Sequence, residues 1–169
     1  MQCHQLEVRD HLDHLVYMVK ETDPDGVELR FSMFKDKLRF KNTKPLLEAF
    51  DRKMAEGESN IRIPLLQILE VYEEKLENRA RKKRWSRGPV RPLNLYILTD
   101  GVWQPHCDAT EIISDMVNML TKYGVRRENF GIQFIRFGND ADGIARLEKL
   151  DSGLGLSMYV LVDPLPPHR

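Results

Sequence analysis

The sequence predicts an α/β fold built on an open, mainly parallel sheet with helices on both faces, and three observations predict it. Between Arg91 and Trp103 the chain reads RPLNLYILTDGVW, an apolar run of Leu93, Leu95, Tyr96, Ile97 and Leu98 entered through Pro92 and left through Gly101. That is the pattern of a strand buried on both faces, as in parallel sheets. Candidate strands alternate with candidate helices along the chain, which argues for right-handed crossovers between parallel neighbours. The length of 169 residues fits one domain spanning 1–169, and at that size roughly 70% of the unfolded chain's surface can be buried without staples.

The elements follow in order. Val8, Leu12, Leu15, Val16 and Val19 recur at three- and four-residue spacing, so an amphipathic helix is expected over about His4 to Lys20. Asp23, Pro24, Asp25 and Gly26 make a turn into a strand from Val27 to Phe31, with a short partner strand near Leu38 to Phe40. Leu46, Leu47, Phe50 and Met54 mark a helix that Gly57 ends, and Ile61, Leu65, Ile68, Leu69, Tyr72 and Leu76 mark a longer one announced by Ser59 and Asn60. The central strand runs from Leu93 to Thr99, and a helix carrying Ile112, Ile113, Met116, Val117 and Leu120 leads to Gly124. Strands from Phe130 to Phe137 and from Met158 to Val162 flank a short helix containing Ile144, Leu147 and Leu150. There is no internal repeat and no long linker.

A strand ending in Thr99, Asp100 and Gly101 in this setting resembles the von Willebrand factor type A domain, in a branch common among intracellular eukaryotic proteins where Pro-Leu-Asn-x-Tyr-x-Leu-Thr-Asp-Gly-x-Trp is typical. The stretches Asp23 to Phe31, Gly131 to Gly138, Arg146 to Asp151 and Met158 to Asp163 resemble further family segments, so the likeness runs from about residue 6 to about residue 164. It implies a Rossmann-like sheet. The family's first strand ends in Asp-x-Ser-x-Ser, which supplies most ligands of a site for a divalent cation, usually magnesium; no such motif occurs in this sequence. The resemblance matches Asp100 to the family's acidic residue after the central strand and Ser59 to its ligand threonine. Two oxygens leave the octahedral shell of magnesium to water, so no cofactor is expected here, and magnesium only if upstream residues supply the motif. The same two residues serve equally as caps of turns and helix starts. In the family the absent strand lies in mid-sheet between the second and fourth strands. Its loss leaves two strand edges without ladder partners. The expectation is therefore a chain of poor stability, or one completed by a strand from another segment or another chain.

Composition excludes several functions. Lys plus Arg and Asp plus Glu are equal at 26 each, so no global field favours nucleic acid or an anionic membrane. Cys3 and Cys107 are the sole cysteines, and no Asn-x-Ser/Thr acceptor appears, which suggests a reducing, cytoplasmic location, with a nuclear one as the alternative. No apolar run approaches the roughly 20 residues needed to span a bilayer.

Local features carry the remaining candidates. Cys3, His4, His11 and His14 share one helix, but nothing of the His-Glu-x-x-His type is present, and a solvated face competes with zinc. His106, Cys107 and Asp108 are similar, with Asp108 read as a helix cap. Arg79, Arg81, Lys82, Lys83, Arg84, Arg87 and Arg91 form a basic run around Trp85. It resembles a nuclear-localisation or nucleic-acid patch, or else a solvated helix end suited to the negative end of the helix dipole and shielded by Glu70, Glu73, Glu74 and Glu77. Trp103 and Gln104 extend past the central strand, where a Trp either anchors a partner or lids the core. Gly-x-Ser-x-Gly, a phosphate loop and Cys-x-x-Cys are all absent, and Gly153 and Gly155 precede a strand instead of following one. A non-catalytic domain that binds other proteins is the expected function, with a nucleic-acid-associated factor and a metal-dependent binder as the alternatives.

Overall fold

A computed structural model describes residues 5–20, 23, 25–33, 37–53, 60–83, 88–152 and 160–164. The chain is mixed α/β and divides into two compact units, Met1–Asn60 and Ile61–Arg169.

In the first unit, helix α1 (Gln5–Val19) buries Val8, Leu12 and Val16, one residue per turn on a single stripe. Strands β1 (Val27–Arg30) and β2 (Lys37–Phe40) pair antiparallel, Val27 opposite Phe40. Gly26 enters the hairpin at φ +86°, and a Cβ there would lie 2.3 Å from the Phe40 carbonyl oxygen, so glycine is required for both conformation and space. Glu28 joins Arg30, Lys37 and Arg39 across the hairpin at 2.8, 3.1 and 3.3 Å. Burial alone would raise its carboxyl, but hydrogen bonds from Arg30 and Lys37 outweigh that and hold it below the ordinary range. Helix α2 (Thr43–Asp51) buries Leu46 and Leu47, with Pro45 in its first turn, where no amide donor is needed. An Arg9–Asp51 ion pair at 2.8 Å ties α1 to α2.

The second unit begins with α3 (Arg62–Arg81), whose Leu65, Leu69, Tyr72 and Leu76 keep helical spacing and face inward. Strand β3 (Leu93–Thr99), helix α4 (Thr110–Lys122), strand β4 (Phe130–Arg136), helix α5 (Ala141–Ser152) and strand β5 (Val160–Pro164) follow. The sheet order is β3-β4-β5 with both pairs parallel, as strands joined through helices require. Leu93, Leu95, Ile97 and Thr99 stand opposite Phe130, Ile132, Phe134 and Arg136. Helix α4 closes on Gly124 at φ +61°. There the Gly124 and Val125 amides donate to the carbonyls of Thr121 and Leu120, a Schellman ending. The core joins α3 and α4 to Phe130, Ile132 and Phe134 of β4 and Leu147 and Leu150 of α5.

Two expectations are corrected. The central strand is not buried on both faces: Asn94 and Tyr96 are exposed, while Leu93, Leu95 and Ile97 on its other face pack against the core. The helix through Leu46 stops at Asp51, with Arg52 as its C-cap; Met54 and Gly57 lie outside the described residues. The longer helix begins at Arg62, preceded by Ile61 in helical backbone at φ −69° and ψ −25°. Ser59, Cys3 and His4 also lie outside the described residues. No described helix is long and apolar enough to cross a membrane.

Candidate functional site

In parallel α/β sheets ligands gather at the carboxyl ends of the strands, and that end of β3 is built from two consecutive side-chain-capped turns. The Gly101 amide donates to Thr99 Oγ1 at 3.0 Å, and the Val102 amide donates to Asp100 Oδ1 at 3.1 Å. Thr99 is buried. Its carbonyl accepts from the Phe137 amide at 2.9 Å, which extends the β3-β4 ladder past its last pair.

The junction meets the first turn of α5 backbone against backbone. A Cβ on Gly143 would lie 2.3 Å from the Asp100 carbonyl oxygen, and one on Gly101, at φ +75°, 2.6 Å from the Gly143 carbonyl oxygen. Asp140 caps α5, its Oδ1 accepting from the Gly143 amide at 2.8 Å. Arg146, one turn on, donates from Nη1 to the carbonyls of Gly101 at 2.7 Å and Trp103 at 3.1 Å. Its guanidinium carbon lies 5.3 Å from the centre of the Trp103 ring, within cation–π reach. One arginine thus holds the loop that leaves β3.

Trp103 is 7% exposed and belongs to the core, so of its two sequence readings, lidding the core is the one its burial matches. Its Nε1 is buried with no hydrogen-bond partner among the described residues, as is Arg136 Nη1 at the same end of β4. Gln104 is exposed, and its carbonyl accepts from the Cys107 amide at 2.8 Å in a single 3-10 turn. Asp108 Oδ1 accepts from the Thr110 amide at 2.7 Å, capping α4 as its sequence position suggests. Burial pushes the Asp108 carboxyl up, but the Thr110 hydrogen bonds and the fields of Arg146 and Lys149 prevail and leave it below the ordinary range. Arg62 braces the same corner, donating to the Asp108 carbonyl at 3.1 Å and to Glu111 at 3.2 Å.

The other candidates are carried by other elements. His11 and His14 turn back on α1, each Nδ1 donating to the carbonyl four residues earlier, at 2.9 and 2.7 Å. Arg79 and Arg81 occupy the last turn of α3, and Arg81 pairs with Glu77 at 3.1 Å, both in solvent. Lys82, Lys83 and Arg91 are exposed; Arg84 and Arg87 lie outside the described residues. Among the described residues no group of three or more His, Cys, Asp and Glu is placed to share a metal ion. Between α1 and α2 of the first unit a groove of about 440 Å³ is lined by Arg9, Asp13, Thr43, Lys44, Leu47 and Glu48, charges of both signs that select no one ligand.

Sequence reading missed the roles of Gly143, Arg146 and Asp140. A glycine beside Asp142 in an otherwise helical pattern was the available signal, because glycine inside a helix costs about 1 kcal/mol against alanine unless something must come close. No protein-family model, no curated protein and no solved structure matches the chain.

Proposed function

We propose that this chain is a non-catalytic protein-interaction domain of the von Willebrand type A kind, Rossmann-like in its sheet, serving as a scaffold in an intracellular assembly. One observation carries the reading: Asp100, the residue matched to the family's acidic ligand, uses its carboxylate to cap the turn out of β3, and its carbonyl is pressed against Gly143. A carboxylate so employed acts as a structural pin of a rigid loop platform. Rigid scaffolds that present loops are where binding residues concentrate. The parallel order β3-β4-β5 supports the family reading but is shared by many α/β proteins, so the functional argument rests on this junction. Within these residues the cation site is read as incomplete, with contacts to partners made by side chains and not through magnesium.

Thermal unfolding with and without magnesium tests the reading. A cation at one hundred times its dissociation constant stabilises the folded state by about 2.7 kcal/mol, which a melting curve resolves easily. The expected result is an unchanged midpoint, and an Asp100→Ala variant that melts lower by the same amount in either condition. A magnesium-dependent rise that disappears in Asp100→Ala would overturn metal independence. Partners captured from cell extract should stay bound in excess chelator; release of all of them would sink the scaffold reading in this form.

A further inference from the structure

Among the described residues the two sheets present four edge strands, and three of them carry the features that discourage pairing with another chain. Strand β1 has Glu28 and Arg30, β2 has Lys37 and Arg39, and β5 ends in Asp163 and Pro164. Charged residues, proline and short length are the usual means of blunting an edge. Strand β3 has none of them: LNLYILT is seven residues long and contains no charge, no proline and no glycine. Among the described strands it pairs with β4 on one side and with nothing on the other. A long, uncharged edge of this kind is a template for another strand, because its outward amides and carbonyls need partners.

We infer that this edge is a self-association surface, and that a second copy of this chain adds to it through antiparallel pairing of β3 with β3 about a two-fold axis at Tyr96. Full overlap of two identical seven-residue strands occurs in that register alone, since Tyr96 is the middle residue of Leu93–Thr99. The pairing is self-complementary, as an isologous interface must be. Leu95 of one copy stands opposite Ile97 of the other on the core side, and the two Tyr96 rings, each 36% exposed, meet on the opposite side as an aromatic cross-strand pair. Arg91 and Asp100 lie just beyond the two ends of the strand, so each end of the ladder carries an arginine of one copy and an aspartate of the other. The formal net charge is +0, and without net charge the copies do not repel one another. The product is a continuous six-stranded sheet in which β3 is no longer an edge. This inference does not depend on the cation reading proposed above.

Sedimentation equilibrium of the full chain, from the micromolar into the millimolar range, tests it. The expected result is a reversible monomer–dimer equilibrium, with a dissociation constant raised at least about tenfold by Tyr96→Lys, which puts like charges face to face on the axis. Tyr17→Lys, an exposed tyrosine on α1, should leave the constant unchanged. Circular dichroism of each variant checks that the fold survives. Hydrogen exchange completes the test, with β3 amides gaining protection as concentration rises. A chain that stays monomeric throughout, or a dimer indifferent to Tyr96→Lys, overturns the inference. Concentration-independent protection of every β3 amide also overturns it, by showing that a segment of the same chain covers the edge.

Discussion

Gly143 is the residue at which the exit of β3 and the start of α5 touch, and a single methyl group there has nowhere to go. Alanine would place Cβ 2.3 Å from the Asp100 carbonyl oxygen, against the backbone of Asp100 and Gly101. Gly143→Ala should therefore destabilise by about 2–3 kcal/mol, the upper part of the overpacking range. Gly124→Ala makes the useful contrast: nothing lies within 4 Å of its Cβ, and φ is +61°, so it should cost only the left-handed backbone term of about 1–2 kcal/mol. Urea unfolding of both variants decides whether contact or conformation dominates. Asp108 supplies a pH test. Its carboxyl titrates lower in the fold than in the unfolded chain, so folding is favoured when it is ionised. That contribution is complete above the ordinary carboxylate value of about 3.9 and is lost as pH falls through the lower folded value. Asp108→Asn should flatten the acid limb of a stability–pH curve, and an unaltered limb would show that the Thr110 hydrogen bonds do not favour the charged form.

Among the elements, α5 depends on two side chains that also fix the loop after β3. Asp140→Ala removes the acceptor for the Gly143 amide and should cost about 1 kcal/mol, as lost N-caps do. Arg146→Met keeps much of the stem while abandoning the carbonyls of Gly101 and Trp103. Hydrogen bonds from a charged donor are worth about 1.5–3 kcal/mol each, so a loss of about 2–4 kcal/mol is expected, with a change in Trp103 fluorescence as the guanidinium leaves the ring. A variant with native stability but altered fluorescence would mean that the loop is held by the two glycines alone. Strand β3 itself was legible from Leu93 to Thr99 because proline and glycine bracket an apolar run. Its one-sided burial was not legible, because exposure of a strand's face is set by which distant elements pack on it and not by the strand's own residues.

Across the whole molecule the two units differ in what they bury. Among the described residues the first buries Val8, Leu12, Val16, Leu46 and Leu47, whereas the second assembles α3, α4, α5 and the parallel sheet around Phe130, Phe134 and Leu120. Stability follows buried apolar area, and small units bury a smaller fraction of their surface. Native-state hydrogen exchange should therefore show α1 and α2 amides opening at lower free energy than those of α4 and β4. Equal protection in both units would show that they unfold as one cooperative block.

Local pattern determined a good deal by itself. Helical spacing of apolar residues placed α1 within a residue at each end and marked the inward faces of α3 and α4, the alternation of strands and helices gave the α/β class, and Asp108 was readable as a cap. The candidate site was legible in part: Asp100 was found by its place after the central strand, while Gly143 and Arg146, some forty residues further on, were not. Tertiary structure decided that Asp100 caps a turn pressed on α5, that Trp103 faces the core, and that the described strands fall into two sheets with β3 at an edge among them. The physical reason is range. Periodicity and capping are settled by neighbours within a turn or two, whereas backbone contact across 42 residues and the pairing of a strand edge exist only once distant segments have met.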